Sequence, residues 1–553
     1  MTVAAATVHR PSGIGAWLDV NVAAWRLGAF VIAAVVAAPL LVLAWAWLSP
    51  DAEIWQHLAD TVLGELVRNT LVLILSVGVG VCVLGVSLAW LTAMCEFPGR
   101  RLFEWALMLP LAIPAYVLAF VLVGLLDYSG PVATWWRDAV GQETWFPPVR
   151  SEGGVILVMV LAFYPYVYML ARSAFLNQGR AALETGRVCG MGPWGAFYRV
   201  TLPMARPAIA SGVALALMET LADFGAVSVF NYDTFTTAIY KAWFGFFSLN
   251  TAAQLATLLL LFVALALYGE RRLRGDARYY VTHRHAREQR YRLRGWRAAG
   301  ASLLAAVVFA AAFAVPVLQL VRWTVAVAAA ELDLRYLAYL YNTLFLGTVA
   351  AGVTTFAALM LAYTYRLSPD RLVRGAVRVA TLGYALPGSV LAVGIMISFV
   401  WLDARLLAMV KPWFDQAAGP VLTGTVLALV LAYTVRFMAV AYGPVDSAFE
   451  RIRPSLLQVA RCLGAGNMEI LRRVSIPMLR TGLISAVLLV FVEVMKEMPA
   501  TLLLRPFGWS TLATRIYELT SEGEWEQAAL PALTLVLAGL IPVAMLVRRT
   551  AAR

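Results

Sequence analysis

The stretch ETGRVCGMGPWGAFYRVTLP, residues 184–203, is polar and rich in glycine, although it lies between long apolar runs. It carries four glycines and two arginines within twenty residues and ends on Pro203. A segment with the same skeleton returns near residue 458. The fold class depends on two questions: why a polar segment lies between apolar runs, and why the sequence contains it twice.

The composition is that of an integral membrane protein. The 553 residues are 61% hydrophobic and 14% charged, whereas a soluble protein carries roughly a quarter charged residues. Since about 20 apolar residues span the hydrocarbon core as a helix, we expect about twelve transmembrane helices in an all-α fold. Ten uncharged runs are long enough to span, and two further runs are interrupted only by acids: 27–50, 69–95, 105–126, 153–171, 242–269, 298–321, 336–365, 379–402, 416–435 and 527–547, with 207–232 and 481–504. The short alternating segments of a β-barrel are missing from the sequence.

The distribution of the basic residues along the chain indicates membrane topology rather than a nucleic-acid binding site. The formal charge is +12, but ten arginines lie in residues 270–297 between two spans, and alternate loops are richer in acids. This is the positive-inside pattern. It predicts a multi-pass membrane protein with both termini and residues 184–203 in the cytoplasm, and it gives no reason to expect nucleic acid as a partner.

The chain is an internal duplication. The sequence can be aligned with itself by the shift that carries residue 199 onto residue 473, and we call this shift the repeat offset. It places RVTLPMAR at 199–206 on RVSIPMLR at 473–480, with five of eight residues identical. The same offset superimposes several pairs of single residues: Gly190 and Gly464, Gly192 and Gly466, Pro203 and Pro477, Glu219 and Glu493, Asp223 and Glu497. We therefore predict a first half at 1–269, a basic cytoplasmic linker at 270–297 and a second half at 298–553, each half with six helices.

Each half is predicted to carry one polar loop on the cytoplasmic side, at about 176–206 and 450–480. We interpret each loop as a short helix across the membrane mouth, with small residues that let another surface approach and a proline that fixes the turn into the next span. The alternative is an ordinary amphipathic loop packed on its own bundle.

The spacing of these loops resembles the EAA loop of the membrane subunits in binding-protein-dependent ATP-binding-cassette importers. In that pattern a glycine follows an acid, and a hydrophobic-Pro pair stands at a fixed distance after the glycine. The first copy has Glu184, Gly190 and Pro203, and the second has Gln458, Gly464 and Pro477. The first copy lacks the two alanines of the pattern, and Gln458 replaces its acid.

The resemblance implies a type I importer permease fold in which each loop is a coupling helix. It implies two ATPase subunits docked on the coupling helices, with ATP-Mg bound on those partners and no cofactor in this chain. It also implies a periplasmic binding protein that delivers the substrate. The residues carried over to the coupling role are Glu184, Gly190, Gly192, Pro203, Gln458, Gly464, Gly466 and Pro477.

Two segments narrow the resemblance to ferric iron permeases, which are commonly fused two-half proteins. They are ETLADFGAVSVFNYDTFTTAIYKAWFG (219–245) and KEMPATLLLRPFGWSTLATRIYE (496–518). Permeases for thiamine, phosphonates, sulfate or polyamines share much of this architecture, so these substrates stay open.

The chain itself has no means of hydrolysing ATP. A P-loop needs Lys followed by Ser or Thr, and the three lysines precede Ala, Pro and Glu. No His/Cys cluster or nucleophile–base pattern points to an enzyme or a tightly bound metal. A proton-coupled secondary transporter is the alternative from another class, although its mechanism has no use for two docking loops.

Four acids interrupt two of the apolar runs and mark a candidate substrate path. Glu219 and Asp223 are four residues apart, as are Glu493 and Glu497, so each pair is expected on one helical face. The helix from Pro203 to Glu219 would rise about 24 Å, which places the acids in the outer half of the membrane. Carboxylates suit a hard cation such as Fe³⁺. The alternative is that these acids pair with Lys496, Arg505 or Arg515, or cap and gate the helices.

Overall fold

The computed structural model describes residues 20–48, 52–141, 146–178, 188, 190–274, 290–410 and 421–551. Within these ranges the chain is helical apart from short connections and two two-residue strands. The helices of the first half are α1 (Val20–Trp45), α2 (Ala52–Thr61), α3 (Leu63–Met94), α4 (Arg100–Ala106), α5 (Ala115–Leu126), α6 (Pro131–Val140), α7 (Glu152–Gln178), α8 (Pro193–Ala196), α9 (Leu202–Ala222), α10 (Gly225–Val229), α11 (Phe235–Phe244) and α12 (Leu249–Arg274).

The second half repeats this series. Its helices are α13 (Trp296–Phe309), α14 (Val315–Glu331), α15 (Leu334–Leu367), α16 (Arg371–Ala380), α17 (Gly388–Val410), α18 (Val426–Phe449), α19 (Pro454–Cys462), α20 (Asn467–Ile470), α21 (Ile476–Lys496), α22 (Pro499–Leu504), α23 (Leu512–Ser521) and α24 (Ala529–Ala551). The strands are β1 (Cys95–Glu96) and β2 (Tyr291–Arg292), and they pair in parallel.

The predicted all-α membrane fold is confirmed. Among the described residues, eleven helical segments are long and apolar enough to cross a membrane, and each matches one of the predicted runs. The twelfth run, 527–547, forms a shorter apolar helix at Ala529–Met545.

Four of the apolar runs are broken in their interior, and run 242–269 also contains the end of α11 before α12 begins. In run 105–126, α4 ends at Ala106 and α5 begins only at Ala115, because Pro110 and Pro114 interrupt the helical hydrogen bonds. Run 379–402 breaks in the same way before α17. The other two, 207–232 and 481–504, break where α9 and α21 end, directly before Asp223 and Glu497.

The duplication is visible in the element boundaries. α8, the π-helical segment Phe197–Thr201 and α9 recur at the repeat offset as α20, the π-helical segment Leu471–Ser475 and α21. Because all six boundaries shift by the same amount, the repeat found in the sequence is a repeat of backbone structure.

The described residues form two compact units that do not follow the two sequence halves. The first comprises residues 20–41, 345–385 and 430–494, and here α1 packs on second-half helices: Trp25 meets Tyr363 edge-on at 4.9 Å between ring centroids. The second comprises the described parts of 42–344, 386–429 and 495–553. In it, Trp323 of α14 stacks on Phe120 of α5 at 6.4 Å. The first span of each half thus packs on elements of the other half, and the division at 269 and 298 stays a prediction about the sequence repeat.

Close packing of α3 against α7 depends on glycine. A Cβ atom built on Gly85 would lie 2.7 Å from the Cβ of Val167 and 3.1 Å from the backbone oxygen of Tyr164. A Cβ on Gly352, in α15, would meet no atom within 4 Å.

We therefore predict that Gly85→Leu lowers the thermal unfolding temperature of the detergent-purified protein, because overpacking such a contact costs about 1–3 kcal/mol. Gly352→Leu is the matched control and should leave the melting temperature within experimental error. Equal melting temperatures for the two variants would contradict the close approach of α3 and α7.

Candidate functional site

The second polar loop is a short helix followed by a glycine turn. α19 ends in a Schellman motif: the N–H of Gly464 donates to the carbonyl of Arg461 at 2.9 Å, and the N–H of Ala465 donates to that of Ala460 at 3.1 Å. Gly464 has φ +84°, the left-handed region that glycine adopts without strain. Gly466 is extended and begins α20, its carbonyl accepting from the N–H of Ile470.

The first loop has the same geometry where the structure describes it. Gly190 has φ +75°, and the carbonyl of Gly192 accepts from the N–H of Ala196 at 2.9 Å. Glu184 lies outside the described residues. Added Cβ atoms on Gly190, Gly192, Gly464 and Gly466 would meet no atom within 4 Å. Within the chain, the first glycine of each pair is therefore needed for backbone conformation rather than for a close contact.

The expected turn at Pro203 and Pro477 is wrong. Pro203 lies inside a continuous helical run from α8 through α9, and Pro477 lies inside the equivalent run from α20 through α21. Each proline follows a π-helical segment, and its flanking residues have right-handed helical angles. Each proline therefore continues the helix instead of ending it, and the chain leaves helical conformation at the glycines, where Gly190 and Gly464 have positive φ.

Aromatic side chains attach the N-terminal ends of these runs to neighbouring helices. In the first half, Phe197 packs edge-on against Trp90 of α3 at 4.4 Å between ring centroids. In the second half Tyr363 of α15 makes the corresponding attachment, and its hydroxyl donates to the backbone carbonyl of Asn467 at 2.6 Å. The start of each run is therefore fixed to the helix beneath it.

One face of α19 is apolar and exposed. Leu456, Val459 and Leu463 share this face at helical spacing, and their exposed fractions are 44%, 56% and 82%. Gln458 is also exposed, on the opposite side of the helix. Exposed arginines flank both loops at equivalent positions: Arg199 and Arg473, Arg206 and Arg480. The loop thus presents an apolar stripe within a basic surround.

The interpretation that Asp223 and Glu497 share a helical face with Glu219 and Glu493 is wrong. α9 ends at Ala222, and Asp223 has extended backbone angles. Its carboxylate accepts from the backbone N–H groups of Ala226 and Val227 at 2.9 and 3.2 Å. Both residues lie in the first turn of α10. The carboxylate of Glu497 accepts from the N–H of Ala500 at 3.0 Å and caps α22 in the same way. The expected alternative, helix capping, therefore holds for this pair.

Glu219 and Glu493 remain inside α9 and α21, and both are half-buried. The Nζ of Lys496 donates to the carbonyl of Leu111 at 3.1 Å, while Arg505 pairs with Glu518 at 2.8 Å. Within the described residues, no three His, Cys, Asp or Glu side chains come together as metal ligands could. The role of the four acids in a substrate path stays a prediction.

Sequence reasoning missed two equivalent clamps beside these acids. The side-chain amide of Asn69 donates to the carbonyl of Asp233, and that of Asn342 donates to the carbonyl of Ser510, both at 3.0 Å. Each carbonyl precedes a threonine, Thr234 or Thr511, that begins α11 or α23 with a capping box. Thr511 lies three positions beyond the place that the repeat offset assigns to the equivalent of Thr234, so a search at that single offset does not align them.

Comparison with known proteins gives a consistent set of matches. Residues 83–270 match the family described as binding-protein-dependent transport system inner membrane component. The Fe(3+)-transport system permease protein FbpB 2 of Haemophilus influenzae is 28% identical over 491 residues, which are 88% of this chain and 90% of that protein. The sulfate transport system permease protein CysW of Escherichia coli K12 is 30% identical over 222 residues, 40% of this chain and 72% of that protein.

Two further matches are more limited in extent. The molybdenum transport system permease protein ModB of Escherichia coli K12 is 30% identical over 146 residues, 26% of this chain and 62% of that protein. Among solved structures, a bacterial alginate ABC transporter in complex with an alginate pentasaccharide-bound periplasmic protein is 15% identical. The match covers 45% of this chain and 91% of that chain, with a TM-score of 0.36.

We predict that Gly464→Ala loosens the end of α19, because a left-handed conformation costs a residue with a Cβ about 1–2 kcal/mol. Amide hydrogen exchange in 456–463 should become several-fold faster. Gly466→Ala is the matched control, since Gly466 is extended and open, and Gly464→Asn should fall between them. Unchanged exchange in Gly464→Ala would contradict the Schellman assignment.

We also predict that Asp223 acts as a cap rather than through its charge. Asp223→Asn keeps an oxygen acceptor for Ala226 and Val227 and should retain the melting temperature of the purified protein. Asp223→Ala removes the acceptor and should cost about 1 kcal/mol, with a lower melting temperature. If Asn and Ala destabilise the protein equally, the carboxylate charge is what matters and the capping role is wrong.

Proposed function

Because the chain belongs to the family of inner membrane components of binding-protein-dependent transport systems, we propose that it is the permease of an ATP-driven importer, with both permease halves in one polypeptide. The resemblance predicted from the loop spacing is confirmed, and with it the type I permease fold of a multi-pass inner membrane protein. The observation that carries the proposal is the pair of helix–glycine-turn loops, each running into a continuous span at equivalent positions of the repeat.

Two ATPase subunits bind this permease, one at each loop. The stripe Leu456, Val459 and Leu463 supports such docking, because exposed apolar residues on a short helix fit an apolar groove on a partner. The coupling residues proposed from the resemblance are Glu184, Gly190, Gly192, Pro203, Gln458, Gly464, Gly466 and Pro477. ATP-Mg binds to the partner subunits, whose closure moves the two loops together.

The loops, both chain termini and the basic linker lie on the cytoplasmic side. The exposed arginines at equivalent positions of the two loops support this orientation, because positive charge is retained on that side of the membrane. A periplasmic binding protein then delivers substrate to the opposite side.

The substrate we propose is ferric iron. Support comes from the length of the match to the Haemophilus influenzae permease, whose name states Fe(3+) transport and which aligns with both halves of this chain. The sulfate and molybdenum permeases align with smaller parts of it. The half-buried carboxylates of Glu219 and Glu493 also suit a hard cation, because such cations prefer oxygen ligands.

Reconstitution with the ATPase subunits and the binding protein in proteoliposomes tests the proposal. We expect ATP-dependent uptake of radioactive ferric iron from the loaded binding protein, and no competition from sulfate or molybdate. Uptake of an oxyanion instead of iron would overturn the substrate, and uptake without ATP would overturn the class.

The docking surface is tested with a matched pair of variants. Val459→Glu places a charge in the apolar stripe and should abolish ATPase binding and uptake, because burying an unpaired charge at an interface is costly. Val459→Leu keeps the stripe apolar at the same position and should retain ATPase binding. Equal ATPase binding by both variants would contradict docking through this stripe.

A further inference from the structure

Two equivalent helix pairs follow the broken spans, α10–α11 in the first half and α22–α23 in the second. Both pairs lie in the same compact unit. Each begins at a capping acid, Asp223 or Glu497, and continues to a threonine capping box. The second pair has an insertion of three positions between acid and threonine, so within these helix pairs the equivalents follow the repeat offset before the insertion and lie three positions beyond it afterwards.

Tyr240 and Tyr517 occupy equivalent positions after the insertion, on α11 and α23. Their ring centroids are 6.3 Å apart with an edge-on orientation. Phe224, the residue after Asp223, contacts both rings, at 5.2 Å from Tyr240 and 5.4 Å from Tyr517. The three rings form a closed triangle, which we call the aromatic triad.

The symmetry of the repeat locates the triad on the axis between the two helix pairs. When two copies of one motif are related by a twofold rotation, a residue touches its own equivalent only close to the axis. The position of Met498 in the second helix pair agrees with this location. Met498 is the equivalent of Phe224, and its Cε lies 2.5 Å from where a Cβ on Gly225, the next residue after Phe224, would be.

We propose that Phe224, Tyr240 and Tyr517 are the closed outer gate of the transport path. This inference rests on the proposed function, since a path between two homologous halves runs along the axis that relates them. Rings that meet on this axis close it, and substrate passes only when α11 and α23 separate.

The surroundings of the triad fit a gate better than a permanent core. Tyr240 and Tyr517 are half-buried, whereas Phe224 is fully buried beneath them. The next residues along α11 and α23, Lys241 and Glu518, pair with Asp233 and Arg505 within their own helix pairs, at 2.7 and 2.8 Å. No ion pair between described residues of α11 and α23 is seen, so the two helices meet through aromatic rings.

The two capping acids, Asp223 and Glu497, position the helices that form this gate. Asp223 and Glu497 fix the start of α10 and α22 and so hold the gate helices as units separate from the long spans. They are positioning residues for the triad. The asparagine clamps from Asn69 and Asn342 hold the starts of α11 and α23 on the adjacent spans, which leaves the contact between the helix pairs as the part that opens.

The gate is tested by passive leak in proteoliposomes that hold potassium ions and contain the full-length permease with its ATPase subunits, without ATP or binding protein. The double variant Tyr240→Ala with Tyr517→Ala should raise the potassium leak at least tenfold, because the rings that close the axis are gone. The double variant Tyr240→Phe with Tyr517→Phe keeps the rings and should leak like the unchanged protein. A properly folded alanine variant with no added leak would overturn the proposal.

A second variant covers the case in which the alanine protein does not fold. Tyr240→Cys with Tyr517→Cys, bridged by a flexible bis-methanethiosulfonate reagent, should lose ATP-driven uptake and regain it after reduction. The two single-cysteine variants treated in the same way are the controls for the native cysteines. Full uptake with the bridge complete would show that α11 and α23 need not separate, which overturns the gate. The leak test needs no iron, so it can succeed even if the proposed substrate is wrong.

Discussion

Every backbone N–H inside a bilayer needs an acceptor from the protein, because hydrocarbon supplies none. The helices of this chain nevertheless end and restart within segments apolar enough to be predicted as single spans. Each restart is stabilised locally by a side chain: Asp223 accepts from Ala226 and Val227, and Glu497 accepts from Ala500. The acids in the apolar runs are thus first of all the acceptors that allow the helices to be interrupted.

Both halves of the duplication stabilise their interrupted helices with the same residue types. Asn69 and Asn342 clamp equivalent carbonyls, and Thr234 and Thr511 begin equivalent helices. The copies differ in the connection between acid and threonine, where the second half is longer. There Gly508 has φ +80° and the N–H of Trp509 donates to the carbonyl of Pro506, which forms a tight turn with Phe507 fully exposed. The two halves therefore share one scaffold and present different surfaces.

Hydropathy alone was sufficient for the fold class, because the length of an apolar run reports directly on membrane thickness. It could not locate the breaks before α5 and α17, since Pro110 and Pro114 are uncharged and leave a run uninterrupted. The glycines at 190 and 464 were predicted to matter as small residues that let another surface approach, and the turn was assigned to the prolines instead; the structure places a positive φ at both glycines. Their positive φ is a property of the backbone, and the sequence does not distinguish it from a need for small side chains.

The site was predictable only where a single offset aligned the repeats. Tyr240 and Tyr517 lie after the insertion, and their contact depends on how two helices meet in space.

The continuous helical run through Pro203 has a mechanical consequence. It extends from Pro193 to Ala222, which is about 45 Å at about 1.5 Å per residue. A helical run of this length converts a small tilt into a displacement, since a tilt of about 5° moves its far end by about 4 Å relative to its near end. Its near end leaves the first loop and its far end stops at Asp223, so a small rotation imposed at the loop reaches Phe224 as a displacement comparable to the thickness of an aromatic ring.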